Sequence, residues 1–331
     1  MKDFLCYYVV KPDRGPAKAE VTRRPLDELP AGDVLIRVAY SSLNYKDALS
    51  ATGHPGVTRK FPHVPGIDAA GTVAESGASE WKAGDEVLVT GYDLGQNTWG
   101  GYAEYVRVPA AWVVRRPEGL TLRECMVYGT AGFTAGMGLD ALVERGITPA
   151  RGEIVVTGAS GGVGSLAVAL LAKAGYQVVA STGKASAYDL LKRLGAARVI
   201  GRDEVYDASD KPLLASRWAG AIDTVGGATL ATLVRSAHRD GCITCCGLVG
   251  GVELPLSIYP FILRGVELAG IDSAECARER RLRVWKKLAG QWKPDGLEQL
   301  VTESDLGRLA PHIQEILAGR NTGRVLVTLR A

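Results

Sequence analysis

The stretch from Glu153 to Gly164, EIVVTGASGGVG, limits the folds open to this chain more than any other. Glu153 to Thr157 has the β-branched, apolar character of a short buried strand closed by Gly158. From Val163 onward, VGSLAVALLAKAG has the apolar spacing of a helix that ends at Gly175. Between them Ala159, Gly161 and Gly164 fit an A-x-G-x-x-G turn. One small residue permits a tight turn, one lets backbone approach a pyrophosphate, and one lets helix pack on strand. The helix N-terminus then offers N–H groups and a partial positive charge to phosphate. Strand before and helix after favour a dinucleotide site over a plain glycine connector.

The next segment bears on the nucleotide. Tyr176 to Ser181, YQVVAS, reads as the second strand of a βαβ unit. An NAD site usually places Asp or Glu about 20 residues past the glycines, on the ribose 2′-hydroxyl. Here the strand runs into Ser181-Thr182-Gly183-Lys184, and the first acid is Asp189. Two hydroxyls, a glycine and a cation suit the 2′-phosphate of NADP better than the diol of NAD.

The chain has 331 residues, enough for two domains. Its 47% hydrophobic and 23% charged residues are ordinary for a soluble protein, and a net charge of +3 gives no nucleic-acid surface. RERRLR at 278–283 is the densest basic cluster and reads as an exposed helix face. The N-terminal MKDFLCYYVV runs into a strand pattern without a secretory signal's features, and no apolar run reaches membrane-spanning length. A cytoplasmic protein is expected. Cys242 and Cys245 form a C-x-x-C, but GCITCCGLVGG reads as an apolar strand entering a glycine loop. No second pair completes a zinc set, and His54, His63, His238 and His312 read as turn or surface residues.

Residues 1–122 alternate short strands with Pro/Gly turns and read as a twisted antiparallel β unit. Residues 123–260 alternate strand and helix as a doubly wound parallel sheet requires, with AARVIG, AGAIDTVGG and DGCITCCGLVG as further glycine-ended strands. From about 261 to 331, VELAGID and GRVLVTLR are expected to return to the first unit.

SSLNYKDAL at 41–49, FPHVPGIDAAGTV at 61–73, WGGYAEYV at 99–106 and GTAGFTA at 129–135 resemble the medium-chain dehydrogenase/reductase superfamily. With EIVVTGASGGVGS at 153–165 they are most similar to its zinc-free quinone oxidoreductase branch. AGAIDTVGG at 219–227, GLVGG at 247–251 and YPFILRGVELAGIDS at 259–273 narrow the resemblance to the acrylyl-CoA reductases.

The resemblance implies an α/β chain: a GroES-like β-rich catalytic domain plus a Rossmann nucleotide-binding domain. Zinc-dependent members hold their metal with a Cys after the first β segment and a His in Gly-His-Glu. This chain has Asn44 in the first region and Gly66-Ile67-Asp68 in the second, so alcohol dehydrogenation through zinc is not expected.

What remains is hydride transfer from NADPH to an activated double bond. Asn44, Tyr45, Lys46 and Asp47 are candidates for the polar end of that site. By resemblance Tyr45 lies beside the nicotinamide and donates through its phenol. Asn44 and Asp47 alternatively fix a turn and cap the helix that follows. Whether a side chain or water supplies the proton stays open.

The same resemblance assigns the pyrophosphate to Ser160, Gly161, Gly162 and Val163, and the 2′-phosphate to Thr182, Gly183 and Lys184. Arg202 joins the adenosine phosphate side, and Leu248, Ile262 and Asn321 the nicotinamide end. Arg is more usual in the subfamily where Lys184 stands, and Lys lacks the bidentate fork. The implied acceptor is acrylyl-CoA, with Arg59, Lys60, Arg264 and the 278–283 cluster as handles for CoA phosphates. Quinones or alkenals are the alternative acceptors, and a nucleotide-binding protein without catalysis is a further one. A homodimer through the edge of the nucleotide-binding sheet is the family habit.

Overall fold

A computed structural model describes residues 3–13 and 15–329. The chain divides into two compact units: one holds the chain up to Thr130 together with everything from Leu300 onward, the other Ala131–Gln299.

The first unit is β-rich. β1 (Asp3–Val10) and β2 (Lys18–Pro25) form an antiparallel pair. β3 (Val34–Leu43) leads into α1 (Tyr45–Ala51), followed by β4 (Asp68–Ser76), β5 (Glu86–Thr90), β6 (Tyr105–Val108) and β7 (Val114–Arg115). β3 and β4 pair antiparallel at the centre of a seven-stranded sheet, with β6 also on β3. Alternating residues of β3 and its neighbours, among them Val34, Ile36, Val87 and Val106, bury completely in one core. Each such side chain contributes about 1.5–3 kcal/mol.

α2 (Leu122–Glu144) begins in this unit and breaks at Gly129, whose φ of 51° is left-handed.

The second unit is a parallel sheet. β8 (Ile154–Val156), α3 (Gly162–Lys173), β9 (Val178–Ser181), α4 (Tyr188–Arg193) and β10 (Arg198–Ile200) form its first half. β11 (Trp218–Asp223), α5 (Gly227–Arg235), β12 (Ala237–Cys245), α6 (Tyr259–Arg264) and β13 (Glu267–Gly270) form its second, and α7 (Arg278–Ala289) follows. The spatial order β10-β9-β8-β11-β12-β13 is the doubly wound 3-2-1-4-5-6 arrangement. Val155, Val179, Trp218, Leu233 and Ile243 fill a core on this sheet. The chain returns to the first unit with β14 (Val301–Ser304), α8 (Leu309–Leu317) and β15 (Arg324–Thr328), which pairs with β3.

Several expectations are corrected. VELAGID does not return to the first unit: β13 pairs parallel with β12, so 261–299 stays with the nucleotide-binding unit and only the chain from Leu300 crosses back. The first boundary lies at Thr130 rather than 122. RERRLR is not an exposed face throughout. Arg281 is fully buried, lies 4.9 Å from the Phe133 ring centroid and donates to the Ser273 and Ala274 carbonyls. Arg283 and Lys287 pair with the buried Asp140. His63 is buried too: its Nε2 bonds the Gly95 carbonyl at 2.9 Å, and burial lowers its pKa to about 4. The C-x-x-C does lie on a strand, and burial pushes the Cys242 thiol up to about 11.

Candidate active site

In the second unit the turn after β8 is made by Gly158, with φ +56°, rather than by Ala159. A Cβ on Gly158 would meet Thr224 Oγ1 at 2.3 Å. Gly161 caps α3 with extended backbone, and a Cβ there would meet only the Gly158 carbonyl, at 3.3 Å. Gly164 is the close-packing glycine: its Cβ would lie 2.3 Å from that carbonyl. α3 is buried from Gly164 to Leu171 and stops at left-handed Gly175. There Gly175 N donates to Ala172 O and Tyr176 N to Leu171 O, a Schellman ending.

This turn stands where β8 and β11 part, the switch point at which open α/β sheets bind ligands. Thr157 Oγ1 donates to Asp223 Oδ1 across it at 2.6 Å, and Gly226 N donates to Asp223 Oδ2 at 2.7 Å. Burial raises the Asp223 carboxyl pKa against those bonds.

Thr182 Oγ1 donates to Ser160 Oγ at 2.9 Å and accepts from Lys184 N at 3.2 Å, tying the end of β9 to the glycine turn. The Arg202 side chain lies across Gly183, where a Cβ would come within 2.5 Å of its Nε. Ser160, Thr182, Gly183, Lys184 and Arg202 are thus gathered at one end of the sheet beside Gly161, Gly162 and Val163. A backbone cradle open at Gly161, with two cations and hydroxyls next to it, suits the pyrophosphate and 2′-phosphate of NADP.

Leu248 sits on the loop after β12, which packs on Thr224 to Gly227, and Ile262 on α6; they are 61% and 64% exposed. Asn321 belongs to the first unit, where its Nδ2 donates to Gly323 O at 3.2 Å.

In the first unit the residues at 44–47 divide. Asn44 is the N-cap of α1, and Asp47 at N3 accepts from the Asn44 backbone N–H at 2.9 Å, the reciprocal half of a capping box. Asp47 is fully buried and also accepts from Ile67 N at 2.8 Å. Burial and the Asp68 charge push its pKa up to about 7. Asn44 Nδ2 bonds Asp68 Oδ2 at 2.7 Å and Asp47 Oδ2 at 3.1 Å, while its Oδ1 accepts from Arg324 at 3.2 Å. Both amide N–H groups are engaged within the protein. Tyr45, by contrast, is 42% exposed.

Sequence reasoning missed Ser42, Asp68, Thr130 and Arg324. Arg324 is buried and donates to the Leu43 and Val127 carbonyls and to Ser42 Oγ. Tyr102, also buried, donates to Ser42 O at 3.3 Å, and burial with the nearby Asp47 raises its phenol well above its ordinary pKa. Two CoA handles are corrected as well. Arg264 is spent on the Arg235, Ala237 and Leu214 carbonyls, and within the 278–283 cluster Arg281 is spent on backbone carbonyls and Arg283 on Asp140 and Glu144. Arg59 and Lys60 are exposed.

Residues 30–118 match the alcohol dehydrogenase GroES-like domain and 162–289 the zinc-binding dehydrogenase domain. The acrylyl-CoA reductase AcuI of Ruegeria pomeroyi (strain ATCC 700808 / DSM 15171 / DSS-3) is 44% identical over 96% of this chain and 97% of its own length. YhfP of Bacillus subtilis (strain 168), provisionally named a quinone oxidoreductase, is 47% identical over 92% of each chain. Its crystal structure with NAD bound superposes with a TM-score of 0.97, covering 99% of this chain and 100% of that one. The yhdH oxidoreductase from Salmonella enterica, solved in complex with NADP, is 46% identical with a TM-score of 0.95, over 99% of this chain and 100% of that one. With both halves matched and identities of this size along almost its whole length, the chain belongs to the medium-chain dehydrogenase/reductase family.

Proposed function

We propose that this protein is an NADPH-dependent reductase of an activated carbon–carbon double bond, with acrylyl-CoA as acceptor and propionyl-CoA as product. The observation that carries the reading is the 44% identity, end to end, with a relative named for that reaction. The phosphate-suited set at the end of β9 supports NADPH. Thr182, Lys184 and Arg202 stand where an NAD site would present a carboxylate.

Bound NADPH supplies the hydride for the β carbon of the enoyl thioester. The chain holds the pyrophosphate with Ser160, Gly161, Gly162 and Val163, and the 2′-phosphate with Thr182, Gly183, Lys184 and Arg202. Leu248, Ile262 and Asn321 serve the nicotinamide end. Tyr45 offers its phenol to the acceptor's polar end, where negative charge develops on the thioester oxygen. The α-carbon proton comes from that phenol or from water. Asn44 and Asp47 act by holding the start of α1. Arg59 and Lys60 are the handles for CoA phosphates; such remote contacts supply binding energy that orients the reacting carbons.

The reaction runs without metal: Asn44 and Ile67 stand where zinc-dependent members carry ligands, and Asn44 is bonded directly to Asp68. The protein works in the cytoplasm as a homodimer. The open edge of β13, with Val249, Val252, Ile258 and Leu263 exposed nearby in sequence, supports the dimer.

A second reading, reduction of quinones or alkenals, is favoured by the 47% identity to YhfP, whose NAD-bound structure also makes NADH the cofactor to compare. The deciding test is kcat/KM for acrylyl-CoA, crotonyl-CoA, quinones and alkenals, with NADPH and NADH, with and without chelator. Acrylyl-CoA with NADPH should lead, unaffected by chelator. A quinone or alkenal ahead by about tenfold or more, at least the worth of one pocket contact, installs the second reading. NADPH binding without oxidation by any acceptor would indicate a non-catalytic binding protein.

A further inference from the structure

Asp68, the first residue of β4, has no exposed surface, yet its carboxylate is bonded in two directions. Toward α1, Oδ2 accepts from Ser42 Oγ at 2.6 Å and Asn44 Nδ2 at 2.7 Å. Toward α2, Oδ1 accepts from Thr130 Oγ1 at 2.6 Å, and both oxygens lie within 3.0 Å of Thr130 N. A buried carboxylate with this many donors is held in one place and holds its donors in turn.

The two directions lead to two working parts of the chain. Asn44 is the N-cap of α1, and Tyr45 is the first residue of that helix. Thr130 follows the left-handed break at Gly129 and is the last residue before the chain enters the second unit. The break rests on the carboxylate itself: a Cβ on Gly129 would lie 2.4 Å from Asp68 Oδ2 and 2.6 Å from Ser42 Oγ.

We propose that Asp68 is a positioning residue for the reaction. Through Asn44 it sets where α1 begins, and so where Tyr45 stands. Through Thr130 it fixes the point at which the chain leaves the first unit. The proposal rests on the role given to Tyr45 above. Asp68→Asn keeps the volume but turns one acceptor oxygen into a donor that faces other donors, and it removes the charge that strengthens the bonds on both arms.

The test is a double-mutant cycle on the full chain, Asp68→Asn against Tyr45→Phe, with whichever acceptor the wild type reduces fastest, together with amide hydrogen exchange. Asp68→Asn should lower kcat by about tenfold or more and leave the NADPH Kd within about twofold. In the Tyr45→Phe background the same substitution should cost less than about threefold, because a misplaced phenol and an absent hydroxyl are one defect. Exchange should accelerate at both 44–51 and 129–130. Independent, multiplying losses in kcat, or faster exchange at only one segment, would overturn the proposal. Should Asp68→Asn fail to fold, Thr130→Val is the milder probe. It should loosen 44–51 as well as 129–130, and loosening of 129–130 alone counts against a shared anchor. Tyr45→Phe at the wild-type rate, with Asp68→Asn still loosening both segments, overturns the Tyr45 assignment alone.

Discussion

The glycine turn of the second unit and the polar cluster of the first solve opposite problems. The turn at 158–164 is made of backbone: Gly158 bends it, Gly164 lets α3 press on it, and Gly161 leaves an open face. Ala159 N and Gly161 N are spent on the Ser181 and Gly158 carbonyls, and the first N–H groups of α3 are what it offers a ligand. The cluster around Asp68 is made of side chains drawn from β3, α1, β4, α2 and β15, and they satisfy one another. An anion site must keep its donors unspent. A buried charge must have every one of its bonds made, because an unpaired one costs several kcal/mol. One region binds by what it leaves open and the other positions by what it closes.

The largest effect should come from closing the turn. Gly164→Val would drive side-chain carbon into the Gly158 carbonyl, so NADPH binding should be lost and the melting temperature should fall sharply. Gly161→Ala meets no comparable obstacle and should fold normally while weakening NADPH. Equal behaviour of the two variants in thermal melts would erase the distinction between a packing and a binding glycine. Opening the cluster ranks second. Arg324→Leu strips a donor from Asn44 Oδ1, Ser42 Oγ and two carbonyls and removes the buried positive charge that interacts with Asp68 and Asp47. Denaturant unfolding should show a loss of about 3–5 kcal/mol. A loss below about 1 kcal/mol, the scale of one ordinary hydrogen bond, would mean the cluster is not closed.

Lys184→Ala should come next. A hydrogen bond to a charged group contributes about 1.5–3 kcal/mol, so KM for NADPH should rise about 10- to 100-fold and that for NADH hardly at all. Equal rises would show that Lys184 does not read the 2′-phosphate. The last effect is the smallest per step, because it is spread over a window of pH. Asp47 has a folded pKa raised from 3.8 to about 7, so the unfolded chain releases its proton first. Its contribution is fully present below about pH 4 and is lost as pH rises through about 7. Compared with Asp47→Asn, the wild type should lose at most about 1.4 kcal/mol per pH unit in that window. His63, lowered to about 4, works the other way between about 4 and 6.5, so only the difference between the two proteins isolates Asp47. A difference that stays flat with pH would place the Asp47 pKa near its ordinary value.

The turn was legible because its parts are neighbours in the chain. Strand, glycines, helix and the end of the next strand follow within about thirty residues, as a βαβ unit demands. Even there the spacing misassigned one role, since A-x-G-x-x-G points to Ala159 while the left-handed residue is Gly158. The charged pattern of 278–283 misled more. α7 does carry exposed arginines, but Arg281 turns inward onto Phe133, a contact that nothing in RERRLR announces.

Local patterning by itself determined the doubly wound half, the phosphate-suited end of β9 and the cap at Asn44, because each depends on residues a few positions apart and on backbone geometry common to all chains. Only the tertiary structure decided that β13 extends the nucleotide sheet, that Arg264 is spent on carbonyls and that Asp68 is the centre of a buried network. Those outcomes depend on which distant groups share a low-dielectric interior. There a carboxylate takes whatever donors the packing brings to it, from Ser42 on β3 to Thr130 on α2, and sequence spacing does not encode that choice.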